Sequence, residues 1–347
     1  MKKIIFVVDD NSTNLTVAED ALADHYQVIA LPSAAVMFKA LEKFCPDLIL
    51  LDIDMPEITG FEAMEKLKAD ERYSNIPVIF LTGLNDSASE AHGIKLGAVD
   101  FIMKPFSEPV LLNRLKNHLF IDDLIRKRTA QLEERTEQLE LLKNGLVCTM
   151  ADLVENRDKN TGGHIDRTAG YMKILIDAMI EQGVYKDEIL EWDLDLVLSS
   201  ARLHDLGKIA IPDSILNKPD KLTDEEFSVM KTHSLEGERI ISNAMKRTGE
   251  VQFLQYAKII AASHHERWNG AGYPYALSGE AIPLQGRIMA VIDVYDALVS
   301  ERPYKKAFSH EKAIQIIMED AGSHFDPRIA EVFNSISEQI EKLKDEI

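Results

Sequence analysis

One pattern recurs five times in the first 120 residues: a short apolar, β-branched run, then a stretch whose apolar residues return at helical spacing. The runs are "KIIFVVDD", "YQVIAL", "DLILLDID", "PVIFLTG" and "VDFIMKPF", and two of the intervening stretches are Asn14 to His25 and Gly60 to Asp70. Strands joined by helices pair in parallel. The pattern therefore predicts an α/β doubly wound domain over 1–120, with a five-stranded parallel sheet covered by helices on both faces. In such a sheet functional groups gather outside the carboxyl ends of the strands. Asp9 and Asp10 close the first run, Asp52 the third and Thr82 the fourth, and Lys104 precedes Pro105 after the fifth.

Beyond residue 120 the alternation stops. Residues 121–148 are rich in Glu, Arg and Gln, hold no proline and meet their first glycine at Gly145. Ile125, Leu132, Leu139 and Leu146 recur every seven residues, with Thr129 and Thr136 on the alternate seam positions. This predicts a helical linker that forms a weak coiled coil, with a parallel homodimer as the expected state. A solvated single helix is the alternative. From 149 to 347 the apolar positions recur at three and four without β-branched alternation, which predicts an all-α domain.

With 347 residues the chain is long enough for two hydrophobic cores. No apolar stretch approaches the ~20 residues that span a bilayer, and the run after Lys2 and Lys3 is closed by Asp9, too short for a secretory signal. A cytoplasmic address is expected. The net charge of -19 argues against DNA or an anionic membrane as partner, because such surfaces repel an acidic protein. An anionic substrate then requires cations concentrated at one place. Cys45 and Cys148 lie in separate apolar contexts without metal-type spacing and read as reduced core residues.

The polar residues at the strand ends suit phosphoryl transfer to a carboxylate: oxygen ligands for Mg²⁺, an ammonium for phosphoryl oxygens and an aspartate that attacks. Taken singly, such aspartates also serve as helix caps and turn formers. Together "VVDD", "LLDIDMPEITG", "LTG" and "MKPF" resemble the response-regulator receiver domain, a flavodoxin-like fold. The resemblance implies Asp52 as the phosphorylation site, and Asp9, Asp10 and Asp52 as Mg²⁺ ligands. It further implies Thr82 and Phe101 as a switch pair, Lys104 as the phosphate contact and a cognate sensor histidine kinase as partner.

Seven of the ten histidines fall after residue 149. Five of them stand in "TGGHIDR" (His164), "ARLHDLGKIAIPD" (His204, with Asp205 and Lys208), "MKTHSLEGE" (His233) and "SHHERWNGAGYP" (His264, His265), and "IDVYDALVSERPYK" adds Asp293, Asp296, Arg302 and Lys305. Imidazole and carboxylate suit divalent transition metals such as iron, manganese and zinc, and this set exceeds the needs of one ion. Asp205, set about 100° from His204 on a helix, is the expected bridge between two. His164, His204, Asp205 and Asp293 would group around one metal, and His233, His264 and His265 around the other. Two such metals activate water and clamp a phosphodiester. Lys208, four residues after His204, is expected beside the phosphate or leaving oxygen, and Asp296, three after Asp293, to manage a proton. Arg302 and Lys305 supply positive charge for an anionic substrate. Taken one at a time, each histidine also fits an ordinary surface or core position.

The ordered motifs "HDLGKIAIPD", "HHERWNGAGYP", "IPLQGRI" and "DVYDAL" with "RPYK" resemble the HD-GYP family of metal phosphohydrolases, within the HD superfamily, from about Met150 to Glu319. The resemblance implies hydrolysis of cyclic di-GMP to pGpG, and in some members on to GMP, with iron or manganese as metal. It also implies that the glycine-bearing turn after His265 presents Tyr273 to guanine or ribose. Some members carry a Glu four residues before the first histidine, where it serves a third metal, and this chain has Asn160. A binuclear site is therefore expected. The whole chain reads as a two-component output protein in which phosphorylation of Asp52 acts through the coiled coil on access to the metals. The alternatives are a catalytically silent module that binds cyclic di-GMP or a partner protein, and a different HD-type reaction.

Overall fold

The structure, a computed structural model, describes residues 2–83, 87–157, 163–301 and 307–346, and the chain divides into two units, Met1–Glu137 and Gln138–Ile347. In the first, β1 (Ile4–Val8), β2 (Gln27–Leu31), β3 (Leu48–Asp52), β4 (Val78–Thr82) and β5 (Asp100–Met103) form one parallel sheet in the order β2-β1-β3-β4-β5. The crossovers are α1 (Ser12–Leu22), α2 (Ala34–Leu41), α3 (Gly60–Ala69) and α4 (Ser87–Lys95), and α5 (Glu108–Arg157) follows β5.

Successive side chains of a strand point to opposite faces, and here each face has its own core. Phe6, Val8, Ile49, Leu51 and Phe80 meet Met37, Leu41, Met64 and Leu67 of α2 and α3. Ile5, Val7, Leu48, Leu50 and Ile79 meet Leu22 of α1 and Leu111 and Leu115 of α5. Burial on both sides explains why β3 and β4 read as continuous apolar runs, each large side chain contributing about 1.5–3 kcal/mol. The chain reverses direction across the sheet between β1 and β3, so their carboxyl ends flank a crevice.

The heptad stretch is the middle of α5, which begins before it and ends after it. Leu111, Leu115 and Leu119 of the early turns are buried in the first unit, and Val147, Ala151 and Val154 of the last turns in the second. Between them Ile125, Leu132, Leu139 and Leu146 are exposed. The cysteines depart from the expectation of core residues. Cys45 is exposed in the connection from α2 to β3, and Cys148 is half-buried on the flank of α5 beside the buried Val147.

Among its described residues the second unit holds helices, turns and two isolated bridges, and no strand. After α6 (His164–Glu181) come α7 (Lys186–Ile189), α8 (Leu194–Ala201), a 3₁₀ turn (Leu206–Ala210), α9 (Asp213–Leu216), α10 (Asp224–Met230), α11 (His233–Thr248) and α12 (Gln252–Ser263). A second 3₁₀ turn (Gly279–Ala281) leads to α13 (Leu284–Val299), α14 (His310–Glu319), α15 (Pro327–Ser335) and α16 (Ser337–Glu346). Helix α13 is buried on every side from Leu284 to Ile292, as expected of the central helix of a bundle. Arg287 of the "IPLQGRI" motif is spent on structure there: its Nη1 pairs with the buried Asp326 at 2.7 Å. No helix among the described residues is long and apolar enough to cross a membrane.

Candidate metal centre

At the crevice of the first unit the carboxylates of Asp9, Asp10 and Asp52 offer oxygens within 4.8 Å of one another. Asp9 and Asp52 are buried and share one cation, Lys104, whose Nζ lies 2.6 Å from the former and 2.7 Å from the latter. Asp9 also accepts from the backbone N–H of Asn11 at 2.9 Å and from the Asn14 amide at 3.0 and 3.1 Å. Burial lifts the Asp52 carboxyl above its ordinary value, Lys104 opposes the rise and Asp9 adds to it. Lys104 follows β5 and is joined to Pro105 by a cis peptide bond. Thr82 is buried at the end of β4, and the half-buried Phe101 ring packs on Phe80 with centroids 5.5 Å apart.

In the second unit the histidines come from helix ends. His164 begins α6 and His233 begins α11, while His264 caps the C-terminus of α12 and His265 follows it. Two clusters of candidate ligands form, His164 with His204 and Asp205, and His233 with His264 and His265. Asp293 of α13 joins the first, its Oδ1 lying 3.6 Å from His164 Nε2. The two oxygens of Asp205 face different clusters. Oδ2 is 3.4 Å from His204, and Oδ1 is 3.4 Å from His233 and 3.9 Å from His264.

The ring orientations show what this arrangement accepts. His204 Nδ1 donates to the Ala201 carbonyl at 2.9 Å and His164 Nδ1 to the Asp296 carboxylate at 2.7 Å, so in the neutral form that a metal ligand requires each Nε2 holds a lone pair. Those Nε2 atoms face each other at 3.3 Å. His233 and His264 repeat the device, with Nδ1 bonded to carbonyls of Met230 and Ile260 and Nε2 atoms 3.4 Å apart. Paired lone pairs at that separation repel unless a cation lies near both, and anchoring of the outer nitrogen is the usual way a metal-binding imidazole is oriented. Burial pushes His264 down to about 3, with His204 and His233 adding to the fall, and lowers His233 and His265 as well, keeping these rings neutral. On His204 burial is outweighed by Asp205 and Asp293, which raise it. The donor set fits two divalent cations.

Two details differ from the sequence expectations. His204, Asp205 and Lys208 do not lie on one helix: α8 ends at Ala201, and Asp205 caps the 3₁₀ turn that carries Lys208. The turn brings Lys208 Nζ back to Asp205 Oδ2 at 2.7 Å, and burial, which opposes ionisation, is outweighed by Lys208 and His204, so Asp205 stays well below the ordinary carboxylate value. Gly207 in this turn has no room for a side chain, since a Cβ would stand 1.8 Å from the His233 carbonyl oxygen. Asp296, expected to manage a proton, is buried and committed. Besides His164 it accepts from Arg167 Nε at 2.7 Å and Nη2 at 3.0 Å. Burial raises its pKa, but His164 and Arg167 outweigh that and bring it down to about 2, so it orients His164 as a fixed anion.

The "GAGYP" turn lies over His265. The Tyr273 backbone N–H donates to the His265 carbonyl at 3.2 Å, and the two rings are 4.8 Å apart at 37°. A Cβ on Gly272 would fall 2.3 Å from the Arg267 backbone nitrogen, so the close return of the chain requires glycine there. Glu266, buried, holds the far side of the turn by accepting from the backbone of Tyr275 at 2.7 Å and Leu277 at 3.0 Å. Neither Glu266 nor Arg167 is anticipated from sequence, although Arg167 stands one turn after His164 in "HIDR", at a spacing that shares its face. Arg302, Lys305 and Asn160 lie outside the described residues.

Comparison with known proteins agrees with both halves. Residues 148–329, more than half of the chain, match the family model described as HD domain, and residues 5–116 match the response regulator receiver domain. A probable cyclic di-GMP phosphodiesterase of Vibrio cholerae serotype O1 is 40% identical over 95% of this chain and 76% of its own. The cyclic di-GMP phosphodiesterase response regulator RpfG of Xanthomonas campestris pv. campestris is 33% identical over 98% of this chain and 89% of its own. A 3'3'-cGAMP-specific phosphodiesterase 2, also of Vibrio cholerae, is 40% identical over 54% of this chain and 33% of its own. With relatives aligned over nearly all of this chain and both domain models in sequence order, the chain belongs to the response regulators that carry an HD domain of the HD-GYP type behind a receiver domain.

Proposed function

We propose that this chain hydrolyses cyclic di-GMP to pGpG at a binuclear site formed by His164, His204, Asp205, Asp293, His233, His264 and His265. The observation that carries the reading is the placement of Asp205 between two buried histidine clusters, one oxygen toward each. Iron or manganese suits the histidine-rich donors better than magnesium does. When bound, the two cations supply Lewis acidity to a phosphodiester and a water nucleophile. The protein's own part is orientation and charge. Asp296 and the Ala201, Met230 and Ile260 carbonyls fix the rings, Lys208 brings an ammonium beside the bridging carboxylate, and Tyr273 offers a ring next to His265 for a base or sugar. Arg302 and Lys305 remain assigned, on sequence grounds, to the positive charge that an anionic substrate requires. Cyclic di-GMP is preferred to 3',3'-cGAMP because the relatives named for the former match nearly the whole chain, and the cGAMP-specific one only half.

Control is assigned to the first unit. Asp52 accepts a phosphoryl group from a sensor histidine kinase with Mg²⁺ held by Asp9, Asp10 and Asp52, and Lys104 transfers its contact to the phosphate. Thr82 and Phe101 report the change, and a parallel homodimer seam through Ile125, Leu132, Leu139 and Leu146, each between 56% and 66% exposed, passes it on. The setting is cytoplasmic. One experiment tests the whole: anaerobically purified protein is analysed for metal, sedimented, and incubated with cyclic di-GMP and 3',3'-cGAMP, with and without a phosphodonor. The expected result is a dimer with two metals per chain that forms pGpG and responds to the donor, and an Asp205→Ala control with neither metals nor product. Wild type indistinguishable from that control would defeat the enzymatic reading in favour of a silent binding module.

A further inference from the structure

Helix α5 ends beside the metal ligands, and its last turn carries two polar side chains that the packing of Val147, Ala151 and Val154 leaves unexplained. Glu155 Oε1 accepts from the backbone N–H of His164 at 2.9 Å. That N–H opens α6, whose N-cap, Gly163, has no side chain to offer it. Arg157 reaches the turn that bears Asp205 and Lys208. Its Nη1 donates to the carbonyls of Lys208 at 3.1 Å and Ile209 at 2.7 Å, its Nη2 to that of Ile211 at 2.6 Å, and its Nε to the Asp213 carboxylate at 2.8 Å. Asn217 returns a bond to the Arg157 carbonyl at 3.0 Å. Val154 and Glu155 of the helix line one cavity together with His164, His204, Asp205 and Lys208.

We infer that Glu155 and Arg157 are positioning residues for the metal centre, Glu155 acting on His164 through its main chain and Arg157 acting on the Asp205–Lys208 turn. The inference rests on the binuclear reading above. Three features carry it. The two side chains stand two residues apart on one helical turn, so any rotation or axial shift of α5 is applied to both. Their targets are different ligands: a terminal imidazole of one cluster and the segment holding the carboxylate that faces both. Their bonds to the ligand segments go to backbone atoms, which move a ligand bodily instead of merely shielding it. Metal sites tolerate only a fraction of an ångström in ligand placement, so such a displacement acts on metal affinity before it acts on folding. The helix begins in the first unit, which gives a change there a covalent route to both ligands.

The test measures metal affinity and stoichiometry of the full chain by competition with a chelator, together with urea unfolding of the same samples. Glu155→Ala and Arg157→Ala are expected to weaken retention of at least one metal by about 10–100-fold. Glu155→Gln, which keeps an acceptor oxygen at that position, is expected to stay close to wild type. Glu155→Met keeps side-chain length without an acceptor, gives the same loss as alanine, and decides the matter if the alanine variant does not fold. Two metals in wild type with unchanged affinity in Glu155→Ala or Glu155→Met overturns the inference alone. Fewer than two metals in wild type overturns the binuclear reading and the inference with it.

Discussion

In the first unit two buried carboxylates, Asp9 and Asp52, share one ammonium; in the second one carboxylate, Asp205, lies among three imidazoles and an ammonium. The first arrangement keeps an excess of negative charge balanced by a single lysine, so that lysine bears most of the electrostatic load. The second has one partly exposed carboxylate to balance, with Lys208 close beside it, and sets the Nε2 atoms of its imidazoles against one another. Removal of one charged partner should therefore matter more in the first unit than in the second.

The largest effect is expected from Lys104→Met, which strands two carboxylates out of water. In magnesium-free buffer the first unit should lose about 3 kcal/mol by urea unfolding, with part of the loss restored by Mg²⁺. The matching Lys208→Met change leaves one partly exposed carboxylate where Lys104→Met leaves two buried ones, and should cost the second unit less, about 1–2 kcal/mol. Equal losses would break the comparison.

Acidity sharpens it with opposite signs. Burial raises Asp52, so its contribution to stability is complete below the unfolded carboxylate value and is lost as pH rises through the raised one. Asp296, brought down to about 2 by His164 and Arg167 against its burial, contributes about 2 kcal/mol above the unfolded value of ~3.9, lost as pH falls toward 2. In chelator-treated protein Asp52→Asn should stabilise at pH 7 and lose that advantage below about pH 4, and Asp296→Asn should destabilise at pH 7 and approach wild type in acid. Urea midpoints at several pH values check both, and parallel curves for the two variants would contradict the assignment. The smallest effect is expected from Asn14→Ala, which removes the amide from Asp9 but leaves Lys104 and the Asn11 N–H: about 1 kcal/mol on the same first-unit transition.

What the sequence made legible follows the same division. A parallel sheet places its strand ends by rule, so Asp9, Asp52, Thr82 and Lys104 were located by alternation alone, and all lie at or just beyond the carboxyl ends of their strands. The histidine motifs announced ligand chemistry equally well, but helical spacing misplaced His204, Asp205 and Lys208, because a chain that leaves α8 for a 3₁₀ turn keeps the same apolar intervals. Spacing also put Asp296 on the face of Asp293 without revealing Arg167, which arrives from another helix. Arg157 was invisible for a further reason: its targets are carbonyl groups, which every residue possesses.

The tight seat of Gly207 sets a distance as well as a shape. With the 3₁₀ turn pressed onto the start of α11, the interval between the Asp205 carboxylate and His233 is gauged by the absence of one methyl group. Position 207 thus works as a shim of zero thickness. Any side chain there would push the Asp205 turn and the start of α11 apart, whatever the ligands themselves remain.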